Sequence, residues 1–315
     1  MGQVSLVQPV VLKFGGPALG LVLSGGGLKG VAHIGVLKVL EENGLYPQMI
    51  AGTSAGSIIA ALYAAGVRPQ EMEEAAYQLK NSDILDWSFG ISTAVSLAVQ
   101  SLCSWVPFLH HKAPEGLIRG KKIESLVSRL TDRKRTDQVS LPLAIVATDI
   151  DTGERIVFTN WRHAPTVPVN GTCFVQQVPL EMAVRASIAI PGVFEPVYFA
   201  GRTLVDGGLV DNVPVDIMHW MGADPIIAVN LGFHQPGYKT KNVLNILMRS
   251  LDILISETSD VELKNLASLV ITPPITGVGL GDVDKIPECI EIGAQSTRKA
   301  VPMIKRMLQV RKVAQ

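Results

Sequence analysis

Gly52-Thr53-Ser54-Ala55-Gly56 has the residue types and spacing of a serine nucleophile held on a sharp turn. Glycines on either side of Ser54 let the backbone bend tightly enough to push the hydroxyl clear of it. A helix starting at Ala55 would aim its first N–H groups at the reaction centre. The chemistry such a turn serves is acyl transfer, in which the hydroxyl attacks a carbonyl and N–H donors hold the oxyanion. The pattern is short, so its weight depends on lying between a strand and a helix.

A second glycine-rich turn, Gly25-Gly26-Gly27-Leu28-Lys29-Gly30, also follows an apolar run and opens a helix. As GxGxxG it would bind a dinucleotide, which requires an acidic residue at the end of the next strand. That strand ends in Ala51-Gly52-Thr53-Ser54 and carries no acid. Successive glycine N–H groups can instead receive an oxyanion, and a serine one unit later favours this reading. The serine needs a base. His33, His110, His111, His163, His219 and His234 offer no clear triad member, and His33 falls on the apolar face of a helix as a packing residue. Asp206, in Leu204-Val205-Asp206-Gly207-Gly208, reads equally as a base at a strand end or as part of a hairpin turn.

Short apolar runs at Leu19–Leu23 and Met49–Gly52 are expected strands, followed by helices over Lys29–Glu42 and Ala55–Ala65. Two strand–turn–helix units in succession imply a mainly parallel sheet. Further strands are expected at Leu143–Thr148, Ile156–Thr159, Val197–Phe199, Thr203–Val205 and Ile226–Val229, with hairpin turns near Asp151–Glu154 and Gly201-Arg202. Helices are expected over Lys121–Thr131, Leu180–Ser187, Val243–Ser256 and much of Ile290–Val310, the last kinked or divided by Pro302. Trp87–Leu109 contains no charged residue but is interrupted by Ser, Thr, Gln and Gly. It reads as a core helix, a lid or interfacial segment, or least readily a membrane span.

The 315 residues carry 28 basic and 28 acidic side chains, with 47% hydrophobic and only 18% charged. That balance excludes a disordered chain and gives no basic excess for nucleic acid. Lys112–Asp137 and Arg298–Gln315 are basic, which suits peripheral contact with an anionic membrane or simply solvated faces. Cys103, Cys173 and Cys289 form no metal or disulfide spacing and Met1–Phe14 has no signal-peptide pattern, so a cytoplasmic location is expected.

Four blocks together resemble a bacterial patatin-like phospholipase: Ser24–Gly35 (SGGGLKGVAHIG), Gly52–Gly56, Ala186–Phe194 (ASIAIPGVF) with Pro196, and Asp206–Pro214 (DGGLVDNVP). Ala147–Glu154 (ATDIDTGE) is similar to a further segment of that family. The resemblance implies a three-layer α/β fold with helices on both faces of the sheet. Residues 19–216 would form the catalytic region and 217–315 would complete the same domain. It further implies Ser54 as nucleophile, Asp206 as base, and Gly25, Gly26, Gly27 and Ala55 as oxyanion donors. Lys29, Gly52, Gly56, Gly207 and Gly208 would support them, with no metal or cofactor and a phospholipid or lysophospholipid as substrate. A nucleotide-binding protein, a catalytically silent lipid-binding module and an acyltransferase are the alternatives.

Overall fold

The apolar runs of the sequence fold into strands whose alternating side chains serve two different layers. The computed structural model describes residues 18–88, 115–232, 246, 249–250, 253–255 and 263–313. Strands β1 (Gly20–Leu23), β2 (Met49–Thr53) and β4 (Leu143–Asp149) are buried at every position. Leu21, Leu23, Ile50, Leu143 and Ile145 pack into one core, while Val22, Ala51, Ala144 and Val146 pack into another. Burial on both faces is what near-continuous apolar strands require. On the first face lie α1 (Ala32–Glu42), α2 (Ala55–Ala64), α3 (Pro69–Tyr77), α6 (Leu180–Ser187) and α8 (Ile286–Val313). The second face, built with smaller strand residues, receives α7 (Val215–Trp220) through Val215, Ile217 and Met218. The three-layer α/β architecture expected from the sequence is the one observed.

The sheet runs β11 (Leu269–Ile271), β10 (Ile226–Val229), β1, β2, β4, β5 (Arg155–Thr159) and β6 (Thr172–Val175), parallel from β11 to β4. The turn before Glu154 sends β5 back antiparallel to β4. Strand β9 (Arg202–Asp206) pairs antiparallel with β4 and with β8 (Val197–Phe199), to which it is joined by Ala200-Gly201. Both turn residues have positive φ, as a two-residue hairpin with right-handed strand twist demands. A separate parallel pair joins β3 (Gly116–Ile118) to β7 (Gly192–Phe194). Helix α5 (Lys121–Leu130) follows β3, and the short α4 (Asn81–Ile84) precedes it.

Several details depart from the sequence expectations. Pro302 does not divide the last helix, which continues through it to Val313. Val301 and Ile304 are buried and anchor that turn, while Pro302 itself is exposed, so the carbonyl it fails to serve lies on the solvent side. The first helix begins with a tighter 3₁₀ turn over Gly27–Val31 before α1. Strands β3, β6, β7 and β11 and helices α3, α4 and α7 are additional to those expected, most being too short to show a period. Of the uncharged segment Trp87–Leu109, Trp87 is exposed and bridges Ile118, and residues 89–109 lie outside the described region. Val243–Ser256 lies largely outside it too, with helix at Ile246, Arg249–Ser250 and Ile253–Ile255. Among the described residues, no helix is long and apolar enough to cross a membrane.

Candidate active site

Strand β4 brings the two chemically important strand ends together. Its lower half pairs with β2, where Thr53 stands opposite Val146. Its upper half pairs with β9 on the same edge, where Asp206 stands opposite Ala147. Two strands running toward each other along one edge therefore end at successive residues of β4, and Ser54 meets Asp206 at the junction. The Ser54 hydroxyl donates to Asp206 Oδ2 at 2.6 Å.

Ser54 occupies φ 50° and ψ −125°, a conformation that ordinary residues adopt only under constraint. The constraint is visible. A Cβ on Gly56 would lie 2.2 Å from the Leu23 carbonyl oxygen, and one on Gly52 would lie 2.4 Å from that of Gly56, so both positions need glycine for close approach. The Ser54 carbonyl accepts from the N–H and hydroxyl of Ser57 at 2.9 and 2.6 Å. The Ser54 N–H donates to Ser187 Oγ at 2.9 Å, and Ser187 in turn donates to the Val146 carbonyl at 2.5 Å. Ser187, from the third of the four sequence blocks, is fully buried and pins the turn to β4. Ser187→Ala would leave a donor and an acceptor buried without partners, each costing about 1–3 kcal/mol. A stability loss of roughly 2–4 kcal/mol is expected in urea unfolding; an unchanged midpoint would show that the turn holds itself.

Asp206 is 6% exposed and held from all sides. Its Oδ1 accepts from Gly208 N–H at 2.8 Å, its own N–H donates to the Ala189 carbonyl, and its carbonyl accepts from Thr148 Oγ1. Gly207 fixes the turn beyond it by accepting from Val210 and Asp211 N–H groups through its carbonyl. Burial pushes the Asp206 carboxyl up to about 6, against the opposing hydrogen bonds from Ser54 and Gly208. A carboxylate tuned this way can take a hydroxyl proton near neutral pH, which an ordinary aspartate does poorly.

The glycine loop crosses directly over the serine, with the Cβ position of Gly25 only 3.1 Å from Ser54 Cβ. Here the structure differs from the sequence expectation at one residue. Gly25 N–H is already committed, donating to the side-chain oxygen and carbonyl of Asn212 at 3.1 and 3.3 Å. The N–H groups of Gly26, Gly27 and Ala55 donate to no acceptor among the described residues and are the ones available to an oxyanion. Lys29 is buried, and its Nζ donates to the Gly232 carbonyl at 2.6 Å, tying the loop to the segment that follows β10. His33 is fully buried, and its Nε2 bonds the Ser24 carbonyl at 2.9 Å. Burial lowers its pKa to about 4, so it stays neutral and acts as a brace for the loop, the packing role expected for it.

Beneath the site, Arg155 pairs with Asp211 and Asp216 at 2.7 Å each and lies over the Trp220 ring. Burial alone would lower the Arg155 pKa, but the two carboxylates overcome it and hold the charge firmly. Asp211 also accepts from Thr53 Oγ1 through its carbonyl, joining this network to the nucleophile strand. These residues, with Ser187 and Asn212, were not singled out from the sequence. A polar pair buried inside an otherwise apolar block was the signal available for Asp211-Asn212.

Ser54 lines a pocket of about 1040 Å³, counting its open mouth. Gly27 and Ala55 line it too, together with Ile58, Ile59 and Leu62 of α2, Met72 and Ala75 of α3, and Leu126 and Val127 of α5. Among the described residues that line it, Ser54 and Asp83 are the ones with polar side chains. At about 1.5 Å per helical residue, Leu62 lies about 12 Å along α2 from Ser54.

The patatin-like phospholipase family model matches residues 21–219, an interval that contains Ser54, Asp206, the glycine loop and Asn212. The chain belongs to the patatin-like phospholipase family. Among its relatives, an uncharacterized NTE family protein of Mycobacterium tuberculosis (Rv1063c) is 31% identical over 254 residues, covering 80% of this chain and 60% of the relative. Patatin-like phospholipase domain-containing protein 6 of Mus musculus is 30% identical over 223 residues, covering 69% of this chain and 14% of the mouse protein. The chain therefore spans well under the full length of these relatives. Human GIVD cytosolic phospholipase A2, solved with a fluorophosphonate inhibitor, has the same fold at a TM-score of 0.50 and 12% identity, covering 95% of this chain and 60% of that one.

Proposed function

We propose that this family member is a serine acyl hydrolase of lipid esters, with phospholipids or lysophospholipids as substrates. One observation carries the reading: the hydroxyl bonded to Asp206 belongs to a residue that lines an otherwise mainly apolar pocket, so an acyl chain seated there would bring its carbonyl to Ser54. Ser54 Oγ attacks the carbonyl carbon and its proton passes to Asp206. The oxyanion is held by N–H groups of Gly26, Gly27 and Ala55. Collapse expels the alcohol, which takes the proton from Asp206, and leaves an acyl-serine. Water then gives a proton to Asp206 and attacks the acyl carbon. Collapse returns the proton to Ser54 and frees the fatty acid.

Each methylene buried in the pocket contributes about 0.8 kcal/mol, or roughly fourfold in binding. Specificity constants should therefore rise steeply with acyl length across an ester series until the pocket is filled. Ala75→Phe narrows a pocket wall and should lower kcat/KM for long-chain esters about tenfold or more, with butyryl esters unaffected. A flat length profile in the parent protein, or equal losses for short and long chains, would show that the chain binds elsewhere. Labelling by an alkyl fluorophosphonate, with the adduct mapped by mass to Ser54, tests the nucleophile directly.

A further inference from the structure

The family reading assigns a nucleophile, a base and an oxyanion loop; it does not say what holds the loop at its working height over the serine. The loop has little of its own to fix it, since three successive glycines have the largest backbone freedom of any residues. We propose that Asn212 is a positioning residue for the oxyanion donors, acting through Gly25. The inference rests on the reading of Ser54 as an acyl-transfer nucleophile.

Three observations meet at Asn212. Its side-chain oxygen and its carbonyl both accept from Gly25 N–H, so the residue before the uncommitted Gly26 and Gly27 donors is gripped twice. The side chain is 4% exposed, and its Oδ1 lies 2.5 Å from where a Gly25 Cβ would stand, so any other residue at 25 would displace it. The same oxygen lies 3.3 Å from the Cβ position of Gly208, whose N–H holds Asp206, and Asp206 Oδ1 lies 3.1 Å from that position. Asn212 thus stands between the loop that would hold the oxyanion and the turn that holds the base. Its own position is fixed from behind, because the preceding Asp211 is paired with Arg155, accepts from Thr53 and donates to the Gly207 carbonyl. One short segment, Asp211-Asn212, therefore ties the nucleophile strand, the base turn and the glycine loop into a single frame.

The side chain must supply an acceptor, and an amide does so without placing a second charge beside Asp206. Two substitutions separate these requirements. Asn212→Ala removes the side-chain acceptor. Asn212→Asp keeps an acceptor of the same shape but adds a negative charge, which makes ionisation of Asp206 harder. In hydrogen exchange by mass spectrometry, the Gly25 amide should lose part of its protection in Asn212→Ala, where only the longer bond to the residue 212 carbonyl remains, and keep it in Asn212→Asp. The rate of Ser54 phosphonylation by a fluorophosphonate should fall about 10- to 100-fold in Asn212→Ala, somewhat less than removal of an oxyanion donor itself. Ester turnover should fall by the same factor in kcat with KM little changed. Asn212→Asp should recover most of that rate at high pH, with the acid limb of its profile displaced upward by a unit or more.

Unchanged Gly25 protection in Asn212→Ala overturns the proposal. So does lost protection with an unchanged phosphonylation rate, since the grip would then have no bearing on the donors. A rate loss that Asn212→Asp fails to recover at any pH would also overturn it, by showing that the amide matters for packing alone. A parent protein that neither reacts with the probe nor turns over esters would instead refute the nucleophile reading on which the proposal rests, an outcome distinct from the others.

Discussion

Ser54→Ala should lower ester turnover by on the order of 10⁴-fold or more and abolish fluorophosphonate labelling, with the fold retained. The expectation is large because, among the described residues, the hydroxyls next to Ser54 in the turn and its support are committed elsewhere. Ser57 donates to the Ser54 carbonyl and Ser187 donates to the Val146 carbonyl, so both protons are directed away from Asp206. Thr53 Oγ1 donates to the Asp211 carbonyl, on the far side of the strand turn. The Ser54 hydroxyl alone among these is bonded to a carboxylate. The constraints on the turn are close backbone approaches at Gly52 and Gly56 and the Ser54 N–H bond to Ser187 Oγ, none of which uses the Ser54 side chain. A circular dichroism melt of Ser54→Ala should therefore still show a cooperatively folded protein, displaced only by the loss of the one hydrogen bond to Asp206. Turnover above about one per cent of the parent, in protein free of contaminating esterase, would require a different nucleophile.

The legible parts of the site were those in which local residue type dictates local geometry. Gly-x-Ser-x-Gly between an apolar run and a helix reads as a tight turn, and its glycines are needed because backbone passes within van der Waals distance of both. Asp206 was ambiguous for a physical reason: Asp-Gly suits a hairpin turn as well as a strand-end base, and what decides between them is the pairing of β9 with β4. That pairing joins residues far apart in sequence and leaves no local trace. The pocket was hidden for a similar reason. Met72 and Ala76 on α3, or Ile123, Val127 and Leu130 on α5, form an apolar stripe that looks the same whether it meets side chains or a cavity. Gly25 shows the opposite error, in which a motif is read too evenly. Three glycines in a row suggest three equivalent donors, but Asn212 takes the first of them.

Asp206→Asn should also lower turnover by about 10⁴-fold, since an amide cannot take the serine proton. Unlike the serine variant, it should change stability in a manner set by pH. The carboxyl is raised from 3.8 in a free aspartate to about 6 here, chiefly by burial. The folded protein therefore binds this proton more tightly than the unfolded chain does. Stability is fully present below about pH 4, declines as pH rises toward 6, and is lower by about 3 kcal/mol beyond it. The amide of the Asp206→Asn variant would carry no such dependence. Melting temperatures of variant and parent should lie close together near pH 4 and diverge between pH 4 and 6, the variant becoming the more stable. Lost hydrogen bonding to Ser54 would offset part of that gain without altering its pH dependence. Over the same window the parent's kcat/KM should rise about tenfold per pH unit and level off above about pH 7. A constant difference in melting temperature across pH would mean that Asp206 ionises as an ordinary aspartate. With the divergence and the acid limb falling in one window, a single buried carboxylate would account for both, and the ionised base would be maintained at the expense of the fold.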